Sequence, residues 1–173
     1  MKLLHLLRHA KAAEREPHQS DFERPLAKRG ILACKAIAAH FKAEGFSVER
    51  VYCSPAQRTK ETCALIKESL GGAKITFREK LYLIDAGDLL NLIGSVSDKI
   101  SSIMIVGHNP GLHMAALRLT HSATDKQIAN LNTMATKFPT GSLCSLSFET
   151  EQWQDVIRGS GTLTDFIRPR DLS

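Results

Sequence analysis

Residues 3–12 read LLHLLRHAKA, and the change of character at Arg8-His9 sets how the rest of the chain is read. Leu3 to Leu7 is short and apolar except for His5, as expected of a central strand covered on both faces. Arg8 and His9 then stand at that strand's carboxyl end, where open α/β sheets present the groups that bind ligands. An arginine-histidine pair alone at such a place is usually structural. It takes on meaning only if other strand ends deliver matching residues.

Three of them do. VERVYC (48–53) reads as a second strand, followed by a helix over SPAQRTKETCALIKESLGG, with Ser54 as N-cap, Pro55 in the first turn, Gln57 at the capping-box position and Gly71-Gly72 as the stop. AKITFR (73–78) is a weaker strand, and GDLLNLIGSV (87–96) reads as a helix. SSIMIVG (101–107) is another buried strand, and a helix over 109–120 follows with Asn109 as cap and Pro110 at its first position. Between the first two strands, residues 13–25 read as a polar loop; helical spacing then runs from Leu26 and ends at Gly45. GSLCSLSFE (141–149) and EQWQDVIRG (151–159) read as two strands of a hairpin on the sheet edge, with Trp153 packed in it. This alternation predicts one domain over residues 1–173, a three-layer α/β/α sandwich whose sheet is mostly parallel with an antiparallel C-terminal hairpin.

Two arginines and two histidines from three distant segments, Arg8, His9, Arg58 and His108, are therefore expected on one sheet edge. Two helix N-termini point their free N–H groups toward it, an arrangement that favours anions. A phosphoryl group is the expected occupant. A neutral imidazole is a nucleophile toward phosphorus, guanidinium forks match phosphoryl oxygens, and a second, protonated histidine would balance developing charge. His5, His40, His113 and His121 have no partners at ligand spacing and are read as structural or surface residues. Lys11 reads as a solvated lysine, and Arg29 as pocket or surface with equal weight.

The motifs LLRHAKA, SPAQRTKET and VGHNPG, in this order at these strand ends, resemble the histidine phosphatase superfamily, also called phosphoglycerate mutase-like. DFERPLAKRG (21–30) resembles its small SixA-like phosphohistidine phosphatase branch, and FPTGS (138–142) is a looser match. The resemblance implies the phosphoglycerate mutase-like fold. It makes His9 the nucleophile, Arg8 and Arg58 phosphate clamps, and His108 the second histidine of the pocket. Arg24 would add a positive contact and the Asn109 backbone N–H an oxygen donor. It implies no metal and no cofactor.

Two departures from the family pattern stand out. Ala10 replaces the usual glycine after the Arg-His pair. The glutamate general acid of larger members would fall near Leu83, which carries no proton; Asp21, Glu79, Asp85 and Asp88 are the unranked substitutes. A phosphoramidate leaving group tolerates this gap better than an alkoxide does, and a chain of 173 residues has little to spare for a lid. Both features favour phosphohistidine on a partner protein as the substrate. The competing readings are a phosphatase for small phosphoesters, a less favoured mutase, and a non-catalytic module that docks phosphoproteins, for which a nucleophile would be superfluous.

Composition removes other classes. The net charge of +5 is spread without basic runs or interleaved aromatics, unlike a nucleic-acid footprint. Cys34, Cys53, Cys63 and Cys144 form neither CxxC pairs nor zinc spacings, and read as core residues of a reducing compartment. No signal peptide or membrane-spanning apolar run is expected, so the reading is cytoplasmic. No GxSxG elbow supports acyl hydrolysis.

Overall fold

The computed structural model describes residues 1–172. Its strands are β1 (Lys2–Arg8), β2 (Arg50–Cys53), β3 (Lys74–Phe77), β4 (Ser102–Gly107), β5 (Thr120–Ala123), β6 (Leu143–Phe148) and β7 (Gly161–Ile167). They form one sheet in the order β3-β2-β4-β1-β6-β7-β5. Pairing is parallel throughout except at β6, which runs antiparallel to both β1 and β7. The helices are α1 (Lys28–Ala43), α2 (Gln57–Ile66), α3 (Ala86–Gly94), α4 (Gly111–Leu119) and α5 (Ile128–Thr136).

Alternating side chains send the strands' apolar residues to two cores. Leu4 and Leu6 of β1 and Ile103 and Ile105 of β4 pack with Leu89, Leu112, Ala115 and Met134 of α3, α4 and α5. Leu7, Val51, Met104 and Val106 pack on the other face with Cys34, Ile37 and Phe41 of α1 and Cys63 and Ile66 of α2. Helices thus cover both faces, which gives the α/β/α sandwich and explains why β1 and β4 are apolar almost without a break. The four cysteines are buried free thiols.

α1 ends where expected, and the reason is local. Gly45 takes φ +63, its N–H meets the Lys42 carbonyl at 3.3 Å, and the Phe46 N–H reaches the Phe41 carbonyl at 2.8 Å. This is the Schellman arrangement, completed by stacking of Phe41 on Phe46 at 4.2 Å between centroids.

Several expectations need correction. Residues 151–159 are not a strand: Trp153–Asp155 is a 3-10 turn, and the true partner of β6 is β7, twelve residues on. Trp153 is buried against the connection into β4, its backbone N–H on the Asp98 carboxylate (2.7 Å) and its indole N–H on the Ile100 carbonyl (2.7 Å). The β6–β7 pair is not at the sheet edge either, because β5 pairs outside it. Ser54 does not cap α2, which begins at Gln57 behind Ala56, and α4 begins at Gly111 behind Pro110 rather than at Asn109. Both side chains have been claimed by tertiary partners at the sheet edge.

Candidate active site

Register brings the functional residues together. Arg8 of β1 is paired with Gly107 of β4, and Cys53 of β2 with Val106, so His9, Ser54 and His108 emerge side by side. Arg58 reaches them from the first turn of α2. Arg8, His9, Arg58 and His108 line one cavity of about 280 Å³ with Asp21, Arg24, Leu83 and Asn109.

His9 is 8% exposed, and its tautomer is fixed by its neighbours. Nδ1 lies 2.8 Å from the Ala10 carbonyl, so it carries the hydrogen. Nε2 is left with its lone pair and accepts from Arg58 Nε at 3.3 Å. Burial pushes the ring down to about 4; the Ala10 hydrogen bond works against this, and the positive charges of Arg58, Arg8 and Arg24 add to it. At neutral pH the ring therefore presents an unprotonated nitrogen to the cavity.

His108 is held the same way from the other side. Its Nε2–H donates to Ser54 Oγ at 2.8 Å, and its Nδ1 accepts from Arg58 Nη2 at 3.3 Å. Burial, then His9 and Arg58, lower it to about 3. The protonated second histidine expected from the residue types is therefore neutral in this arrangement, because two of its neighbours are guanidinium groups and the ring is out of water. The two imidazoles are 5.2 Å apart between centroids, with Arg58 bridging them.

Arg58 is 4% exposed and is aimed by Asp21. Its Nη1 donates to the Asp21 carbonyl (2.6 Å) and its Nη2 to the Asp21 carboxylate (2.9 Å). The same carboxylate accepts from Arg24 Nη1 (3.0 Å) and the Tyr82 hydroxyl (2.7 Å). Partial burial pushes the Asp21 carboxyl up, but the hydrogen bonds from Tyr82, Arg24 and Arg58 outweigh it and hold the group well below the usual carboxylate range. Asp21 is thus an ionised positioning group with no proton to give. Arg24 also donates from Nε and Nη2 to the Ala13 carbonyl, which fixes the guanidinium on the cavity wall (3.1 and 3.0 Å).

Arg8 donates from Nη1 to the Phe138 carbonyl (2.9 Å), and the Asn109 side-chain amide donates to the same oxygen (2.9 Å). Arg8 Nε is buried with no partner among the described residues. An orphaned buried donor costs about 1–3 kcal/mol, and an oxyanion in the cavity is a natural acceptor for it.

The remaining acids stand elsewhere. Glu79, Asp85 and Asp88 are exposed, none lines the cavity, and Asp85 is occupied as the N-cap of α3, accepting from the Asp88 N–H at 2.9 Å. Leu83 does line it, 55% exposed. Ala10 is fully buried, its methyl in the α1–α2 core and its N–H on Thr62 Oγ1 (3.0 Å), so the departure from glycine is absorbed by packing rather than by the cavity. Tyr82, Ser54 and Thr62 have roles here that the sequence does not signal, because each acts through a partner distant in the chain. Among the described residues no group of three His, Cys, Asp or Glu side chains is placed to hold a metal ion, and no helix is long and apolar enough to cross a membrane.

Comparison with known proteins bears on the family and the fold. An uncharacterised protein of Mycobacterium leprae (strain TN) is 31% identical over 167 residues, covering 95% of this chain and 100% of that protein. The fold superimposes on SixA from Nakamurella multipartitia with TM-score 0.80 at 24% identity, over 97% of this chain and 96% of the other. It superimposes on the protein histidine phosphatase SixA complexed with tungstate with TM-score 0.77 at 20% identity, over 99% of each chain. Residues 4–102, which carry Arg8, His9, Arg24 and Arg58, match the profile of the histidine phosphatase superfamily (branch 1). With more than half its length inside that match and the SixA fold around it, this chain belongs to the histidine phosphatase superfamily.

Proposed function

We propose that this protein removes the phosphoryl group from phosphohistidine on a partner protein through a phospho-His9 intermediate. The observation that carries the reading is the orientation of His9, whose Nδ1–H is tied to the Ala10 carbonyl while Nε2 faces Arg58 and the cavity.

In the first step the Nε2 lone pair forms a P–N bond as the substrate's P–N bond breaks. The electron pair returns to the substrate imidazole. Phosphohistidine whose other ring nitrogen is protonated leaves as a neutral imidazole, so donor and acceptor are the same group and no proton has to move. Arg8 and Arg58 hold the equatorial oxygens, and Arg58 exchanges its contacts with the histidine nitrogens for contacts with the phosphoryl group. In the second step water adds to phosphorus and the P–Nε2 pair returns to His9. Both water hydrogens leave with inorganic phosphate, and Nδ1–H stays on Ala10.

A phosphate ester makes a different demand, because its alkoxide must be protonated as it leaves. Asp21 is held ionised and Leu83 occupies the wall, which supports phosphoramidate over ester. The tungstate complex of the structural neighbour, a tetrahedral oxyanion bound to the same fold, supports a phosphoryl-binding pocket here. Turnover of a phosphohistidine peptide and of an alkyl phosphate, each with wild type and His9→Ala, tests the reading. Fast loss of phosphate from the peptide, slow ester turnover and abolition of both in the variant are expected; efficient ester turnover with an inert peptide would replace it by a small-molecule phosphatase.

A further inference from the structure

Beside the catalytic cavity runs a second depression of about 570 Å³, twice the size, and Lys11 and Thr140 line both. Its other cations are Arg29, Lys137, Arg168 and Arg170, and no Asp or Glu lines it. Asp171 pairs with Arg168 at 2.8 Å and lies 4.0 Å from Arg170. Lys11, Arg29 and Lys137 form no ion pair among the described residues.

The placement of Arg29 runs against local stability. α1 opens with Lys28 and Arg29 and has no acid in its first turn, whereas the positive end of a helix dipole favours Asp or Glu there. The same end is fixed against the cavity: the Ala27 N–H donates to the Lys11 carbonyl at 2.9 Å, and a Cβ on Gly30 would overlap that oxygen. Cations are thus gathered beside the site, and three of them have no ion-pair partner among the described residues.

We propose that this groove docks an acidic segment of the phosphoprotein whose phosphohistidine enters the His9 pocket, and so selects substrates by carboxylates flanking the phosphorylated residue. The inference rests on the phosphohistidine reading above. Charge complementarity and the shared wall at Lys11 and Thr140 give the occupant and its direction. The lining favours a polypeptide over a nucleotide: threonine hydroxyls, an asparagine amide and proline rings suit an extended chain, and no aromatic side chain is present for a base to stack on. Attraction of this kind acts mainly on encounter and binding, and it weakens with salt.

Two phosphohistidine peptides of equal length, one flanked by glutamates and one by glutamines, test it with the full chain. Wild type is expected to show a KM about tenfold lower for the glutamate peptide at low salt, with kcat within about twofold. Raising ionic strength should erase the difference. Arg29→Glu/Lys137→Glu should lose the preference while keeping its melting temperature and its turnover of the glutamine peptide. Equal KM values in wild type, or a preference that survives in the double variant, overturn the groove and leave the phosphohistidine reading standing. A double variant impaired on nucleoside monophosphates instead of the glutamate peptide overturns it in favour of a nucleotide site. Failure of wild type on both peptides, with an aryl phosphate turned over, overturns the underlying substrate reading itself.

Discussion

Gly141 gives its one backbone N–H to two carbonyl oxygens, that of His9 at 2.9 Å and that of Arg8 at 3.1 Å. The Arg8 N–H returns to the Ser142 carbonyl at 3.0 Å, so the turn before β6 clamps the backbone that carries the nucleophile. Only glycine suits the position: its φ is +76, and a Cβ would lie 2.7 Å from Pro169 Cγ. Gly141→Ala is expected to cost about 1–3 kcal/mol from the left-handed backbone and the displaced proline. Urea denaturation measures the loss. A fall in kcat beyond what the lost fold explains would show that the clamp also aims His9, and unchanged stability would remove it from the account.

Acid should destabilise the fold from near pH 6.5 downward. His5, His9 and His108 are buried, and burial is the first cause lowering each, to about 4, 4 and 3. Unfolded, the same rings titrate near 6.5. Between those values the unfolded chain holds more protons, so the stability gained from neutral rings is complete above about pH 6.5 and is lost as pH falls toward 4. Asp21 adds a loss of the same sign below its ordinary 3.8, since its folded value is depressed. Unfolding at pH 5 should take up about three protons in wild type and about two in His9→Ala. The acid limb of kcat/KM should lie below pH 5; a limb near 6.5 would mean that His9 is not desolvated as described.

The parts of the sheet that hold the site were legible because their burial leaves a plain signature. β1 and β4 are buried on both faces and read as apolar runs, β2 buries Val51 and Cys53 in alternation, and the residues after each strand are polar and out of place for a core. The region 120–136 gave no such signal. β5 is a short, largely exposed edge strand, and α5 buries only Met134, so neither has an apolar stripe to read. Trp153 misled because a large apolar residue among polar ones suggests strand alternation, whereas here one indole fills a hole by itself. At the site, the four charged and imidazole side chains could be placed from strand ends alone. The shell that orients them could not: Tyr82, Asp21 and Ser54 act through contacts between loops far apart in sequence, and Ser54 gave a capping signal that its bond to His108 overrides.

Ser54→Ala isolates that shell. Ser54 Oγ is the acceptor for His108 Nε2–H, and Arg58 occupies Nδ1, so the serine sets which His108 nitrogen carries hydrogen. Without it the ring is expected to turn or change tautomer, leaving an unpaired buried donor at a cost of about 1–3 kcal/mol. A drop in kcat of about tenfold is expected with KM changed less. Ring-nitrogen NMR shifts of His108 would move in the variant if the tautomer depends on Ser54. Identical shifts and kinetics would reduce Ser54 to packing.

Leu83→Glu bears most directly on why this site would prefer a phosphoramidate. Leu83 is on the cavity wall, 55% exposed, and the position already takes φ +52 in the native chain, so exchange for another unbranched-at-Cβ side chain adds little strain. A glutamate there lines the same cavity as His9 and His108, and the negative charge of a bound phosphoryl group raises its proton affinity. A protonated glutamate can give its hydrogen to a departing alkoxide, a contribution of about 10²-fold or more for general acids. Phosphohistidine gains nothing from it, since its imidazole leaves without a proton. The variant is therefore expected to hydrolyse alkyl phosphates at least about tenfold faster while its phosphohistidine turnover is unchanged or lower. Selective gain on the poorest leaving groups, read as a flattened dependence of rate on leaving-group pKa, would identify the missing acid as the source of selectivity. A wild-type enzyme already insensitive to leaving-group pKa would mean that another group supplies the proton.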